Sequence, residues 1–166
     1  MAQDVFISYA STDKEAALAI CNSLEQGGTS CWIAPRNIEP GTDFPTAIHR
    51  AILASKVAVL IFSSEANASE YVNREVLAAV TKGVHLIPFR VENVEPVEGL
   101  ALLLGGVQWL EANSGTRSKH LSELVKRVLR RRRRSRRARA LLRRLRRRNF
   151  AERLEPSLRD PREEAE

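Results

Sequence analysis

Val57-Ala58-Val59-Leu60-Ile61-Phe62 is the most apolar stretch of the chain and reads as the central strand of a sheet. Ser63-Ser64 ends it, and a helix is expected from about Asn67 to Lys82, closed by Gly83. Val84 to Val91 reads as the next strand and Gly106 to Leu110 as a short fifth. Upstream, Thr42-Asp43 offers a cap for a helix bearing Ala47, Ile48, Ala51 and Ile52 on one face. Asp4-Val5-Phe6-Ile7-Ser8-Tyr9 is a further buried strand. Ser11-Thr12-Asp13 is expected to cap a helix in which Ala17, Leu18, Cys21 and Leu24 recur at helical spacing before Gly27-Gly28 stops it. Ser30-Cys31-Trp32-Ile33 is the second strand. Short apolar strands alternating with amphipathic helices imply an α/β domain, a parallel sheet covered on both faces.

Between the second strand and the next helix lies Ala34-Pro35-Arg36-Asn37-Ile38-Glu39-Pro40-Gly41. Its two prolines fix φ and remove donors, so it is a loop, and loops of this length in compact α/β domains are often functional. The charge is divided unevenly. Residues 1–120 hold 9 Lys/Arg against 13 Asp/Glu, whereas residues 121–166 hold 18 against 7. A mildly acidic domain therefore carries a basic extension, and any electrostatic partner belongs to the extension. Cys21 and Cys31, the only cysteines, read as reduced core thiols of a cytoplasmic protein. His49, His85 and His120 have no ligand-type spacing, so no metal is expected. The N-terminus lacks the order of regions of a secretory signal, and no apolar run is long enough to span a bilayer.

The order and spacing of four blocks carry a resemblance. They are Asp4–Tyr9, the loop from Trp32 to Gly41, the strand Val57–Phe62, and the helix with Tyr71-Val72-Asn73-Arg74-Glu75. Together they resemble the TIR (Toll/interleukin-1 receptor) domain family, its bacterial members above all, over residues 4 to about 125. The resemblance implies a flavodoxin-like fold with five parallel strands in the order 2-1-3-4-5. In such sheets a crevice opens beyond the carboxyl ends of strands 1 and 3, here Ser8-Tyr9-Ala10 and Ser63-Ser64. The Trp32–Gly41 loop and the Tyr71/Glu75 helix should then border the same cleft.

Tyr71 and Glu75 are four apart, so on a helix they share one face. The pair resembles the family's Trp-x-x-x-Glu pattern, with tyrosine in place of tryptophan, and the glutamate of that pattern is catalytic in NAD-cleaving members. Glu75 carries this role over as the expected catalytic residue. Nicotinamide in oxidised NAD is already cationic and leaves without a proton donor, so one fixed carboxylate suffices where ordinary glycosidases use two. The plain alternative for Glu75 is a solvated helix glutamate. Glu65 and Glu70 lie nearer the helix start and suit its dipole. Expected substrate contacts are Ser8, Tyr9, Trp32, Arg36 and Tyr71. Ser8 and Tyr9 read equally as strand-end packing, Trp32 as core, and Arg36 as a solvated loop residue.

The expected function is an NAD glycohydrolase or cyclase activated by self-assembly in bacterial defence or signalling, with NAD as substrate and no cofactor. The alternative is a non-catalytic module binding other TIR domains. No Gly-x-x-x-x-Gly-Lys loop, Gly-x-Gly-x-x-Gly run or glycine elbow at Ser63-Ser64 supports an ATPase, a dehydrogenase or a serine hydrolase. The expected organisation is a TIR domain at 1–125, an Arg-rich segment at 126–150, and a disordered tail at 151–166. The Arg-rich segment, helical or disordered, reads either as a surface for anionic membrane or nucleic acid, which makes the protein peripheral to the membrane, or as a solvated basic tail.

Overall fold

In the computed structural model, residues 3–154 are described. The chain divides at residues 131/132 into two units. The first holds five strands: β1 (Val5–Ser8), β2 (Cys31–Trp32), β3 (Val57–Phe62), β4 (His85–Arg90) and β5 (Leu110–Glu111). All pair in parallel, in the order β2-β1-β3-β4-β5. The five-stranded flavodoxin-like sheet is therefore present, with β3 at its centre.

Alternation along β3 assigns the two faces. Val57, Val59 and Ile61 join the core under α1 (Lys14–Gln26) and the opening turns of α6 (Arg117–Leu154), where Leu124 and Val128 are fully buried. Ala58, Leu60 and Phe62 join the opposite core, beneath α2 (Phe44–Ala54), α3 (Ser64–Ala68), α4 (Glu70–Thr81) and α5 (Glu98–Leu104). A six-residue strand buried at every position is what the unbroken apolar run demands. In β1, Val5 and Ile7 belong to the first core and Phe6 to the second. Strand alternation thus turns Ser8 towards the α2/α4 side.

Four local details depart from the sequence reading. The helix expected over 67–82 is two helices, broken at Ser69. That residue has extended backbone and its hydroxyl accepts from the Val72 amide, capping α4. Ser11–Asp13 forms a 3-10 turn with no side-chain cap at the start of α1, and the Asp13 carboxylate instead accepts a 2.6 Å bond from Ser63. A seven-residue helix, α5, occupies a stretch to which the sequence reading assigned no element, and β5 is Leu110–Glu111 rather than Gly106 to Leu110.

In the second unit, from Arg132, the backbone is helical as far as Leu154. The first four residues of the expected tail, 151–154, therefore continue the helix, and the rest of it, 155–166, lies outside the described residues. Among the described residues no helix is long and apolar enough to cross a membrane.

Candidate active site

Ser8 is the last residue of β1, and its hydroxyl donates to Glu75 Oε2 at 2.5 Å across 67 positions of sequence. Glu75 is placed for this by the periodicity of α4. Val72, Val76 and Ala79 bury one stripe against the sheet, and Glu75 sits at the edge of that stripe facing the end of β1. The carboxyl is largely removed from water. Burial pushes its pKa from the usual 4.5 up to about 7, opposed only in part by the Ser8 hydrogen bond.

Beside this pair lies a cleft of about 810 Å³, within the range of small-molecule sites. Tyr9, Tyr71 and Glu75 all line it, so three of the expected residues converge there, with Ser8 attached through Glu75. The Tyr9 hydroxyl donates to the carbonyl of Ala34, which ties the cleft's wall to the loop after β2. Desolvation, with a smaller push from the Glu75 charge, raises the Tyr9 pKa and keeps it a neutral donor. Tyr71 stands at the rim, 73% exposed, with the Arg74 guanidinium 5.9 Å from its ring centroid. Arg74 also lines the cleft and pairs with Glu70 at 3.1 Å, which leaves Glu70 on the outer side of α4.

The remaining expected residues lie elsewhere. Trp32 is buried and stacks on Phe6, with centroids 5.4 Å apart, and does not line the cleft. The Arg36 guanidinium grips both oxygens of Glu25, at 3.2 and 2.6 Å, so it too is outside the cleft lining. Ser63 and Ser64 are turned away, towards Asp13 and Glu92 respectively. In their place the N-terminal turns of α2 supply Phe44, Pro45 and His49. Asp43 accepts from the Thr46 amide and hydroxyl and so starts α2 at this point. The helix cap was legible in the sequence, but that it aims these side chains into a cleft was not, because no spacing links them to Glu75.

The cysteines are free and buried, and Cys21, Cys31 and the Glu25 carboxylate place ligand atoms within 4.8 Å of one another. Both Glu25 oxygens are already occupied by Arg36, a cation standing where a metal would need anionic ligands. The Cys31 thiol is pushed up by its bond with Cys21 and by burial, as suits a protonated core group.

The TIR domain family matches residues 5–126. No curated protein matches the chain. Among solved structures, the TIR domain of the Toll-related receptor TRR-2 from Hydra magnipapillata is similar at 21% identity and a TM-score of 0.63, covering 76% of this chain and 94% of that one. The TIR domains of the activated Roq1 resistosome, which recognises the effector XopQ, give 17% identity and a TM-score of 0.63 over 76% and 99%. A TIR-STING receptor from C. gigas, in complex with 2',3'-cGAMP, gives 26% identity and a TM-score of 0.62. It matches over 76% of this chain but only 39% of that receptor. With this sheet order, and with a family match over residues 5–126, the chain belongs to the TIR domain family.

Proposed function

We propose that this TIR domain cleaves the bond between nicotinamide and ribose in oxidised NAD, with Glu75 as the catalytic carboxylate. The observation that carries the proposal is a desolvated glutamate held by Ser8 at the edge of an 810 Å³ cleft lined by aromatic and apolar groups. Buried carboxylates with raised pKa values at a cleft are costly to keep, and such groups concentrate at sites of chemistry.

The chemistry asks little else of the protein. As the C1′–nitrogen bond breaks, its electron pair leaves with nicotinamide, which departs neutral. Positive charge then builds on the ribose, and the ionised Glu75 stabilises it in a site where water screens poorly. Water adds to C1′ and releases a proton, giving ADP-ribose. Attack by an adenine nitrogen of the same molecule gives a cyclic ADP-ribose instead. Substrate binding favours the ionised carboxylate, because the nicotinamide ring brings a positive charge into the cleft. Ser8 orients the carboxylate, Tyr9 offers a hydroxyl, and Tyr71 offers an aromatic face at the entrance.

The rim supports a second element, self-assembly. Phe44 on α2 and Tyr71 on α4 are large apolar side chains left more than half exposed beside the cleft. A second TIR domain laid across them would complete the site, so activity should rise more steeply than protein concentration. The same surface suits a non-catalytic TIR–TIR contact, the competing reading. The two separate on NAD consumption by concentrated protein: turnover lost in Glu75→Gln supports the enzyme, and none in either protein supports the contact module.

A further inference from the structure

We propose that the Arg-rich half of α6 is a docking surface for an anionic lipid bilayer, lying in the plane of the headgroups. Ala138, Leu141, Leu142 and Leu145 stand at i, i+3, i+4 and i+7, and the backbone is helical throughout this stretch. With helical geometry these four positions fall within an arc of about 100°, the width of an apolar face. Arg136, Arg137, Arg139, Arg143, Arg144 and the run Arg146–Arg148 take positions around the remaining arc, and Arg134 and Asn149 end the apolar face one turn before and after it. No acidic residue occurs between Glu123 and Glu152 to neutralise them. Leu141 and Leu142 are 58% and 57% exposed.

An apolar stripe framed by arginines fits one class of partner better than its rivals. Nucleic acid would take up the arginines but leave the leucines in water, and no aromatic residue lies within 127–148 to stack on bases. A second copy of the helix would cover the leucines but bring the two sets of arginines together. An anionic bilayer satisfies both halves. The leucines enter the acyl boundary while the arginine stems run along it and carry their guanidinium groups to the lipid phosphates. The inference is independent of NAD chemistry, because it concerns the second unit alone.

The test is co-sedimentation of the full chain with vesicles of phosphatidylcholine, alone or containing about one third phosphatidylglycerol. Binding at least about tenfold stronger to the anionic vesicles, and weakened by salt, is expected. The Leu141→Ser/Leu142→Ser double variant should bind those vesicles about tenfold more weakly while holding a duplex RNA as the parent does. Undiminished vesicle binding by the double variant would overturn the proposal. Leu142→Trp supplies a check that keeps the arginines intact. Its added emission should shift to the blue on anionic vesicles, and an unshifted spectrum with bound protein would also refute insertion.

Discussion

Replacing Glu75 by glutamine perturbs the molecule in two directions at once. The isosteric amide keeps an oxygen that accepts from Ser8 but removes the ionisable group. In the folded chain the carboxyl titrates at about 7 instead of the usual 4.5, because burial disfavours its charge. At low pH both folded and unfolded chains hold the proton and the site costs nothing. As pH rises past 4.5 the unfolded chain ionises first, so stability falls until the folded group also ionises near 7, and it is level above that. The gap amounts to about 3 kcal/mol at neutral pH. Glu75→Gln escapes this cost, so it should match the parent below about pH 4.5 and exceed it by about 2–3 kcal/mol above pH 7. That is a rise in Tm of about 10 °C for a domain of this size. Thermal unfolding followed by circular dichroism at half-unit steps from pH 4 to 8 reads the difference directly. A variant as stable as the parent at pH 8, or a gain that does not depend on pH, would refute the burial argument. A residue kept at such a cost fits a functional site better than a structural one.

Other perturbations follow from the same geometry. Catalytic efficiency of NAD cleavage should rise about tenfold from pH 6 to pH 8, because only about a tenth of Glu75 is ionised at pH 6; a flat profile speaks against the ionised carboxylate. Ser8→Ala removes a bond that favours the charged form, so the midpoint of that profile should move up by about one pH unit, measured in the same assay. Glu70→Gln breaks only an exposed pair with Arg74 and should change stability by less than about 1 kcal/mol with turnover retained, checked by denaturant unfolding beside the NAD assay. Leu124→Ala, in the part of α6 that packs on the sheet, should cost about 2–5 kcal/mol in the same unfolding experiment.

The first four strands were legible because each carries its burial in its own residues, whereas β5, two residues long with one of them exposed, was expected four residues too early. Val57–Phe62 is apolar at every position, and the core takes all six. The break at Ser69 was not legible, since serine tolerates a helix interior and only the tertiary position of α3 makes it a cap. The seven-residue α5 escaped for another reason. Gly99, Gly105 and Gly106 punctuate Leu100–Leu104 as they would a loop, and the helix is held by burial of Leu100 and Leu104 rather than by propensity. At the site, Glu75 and Tyr71 stood out only through their resemblance to the family's Trp-x-x-x-Glu pattern, while the Ser8 bond to Glu75 arises only when β1 and α4 are stacked. Arg36 illustrates the converse. It reads in the sequence as a substrate contact or a solvated loop residue, and in the fold its fork takes the carboxylate of Glu25.

The most direct test is NAD consumption by the concentrated protein at pH 8, parent beside Glu75→Gln, with products separated by chromatography. The account predicts nicotinamide together with ADP-ribose or a cyclic ADP-ribose from the parent. The better-folded glutamine variant should give none. Equal NAD loss from both proteins, or none from the parent even when clustered on beads, would contradict it.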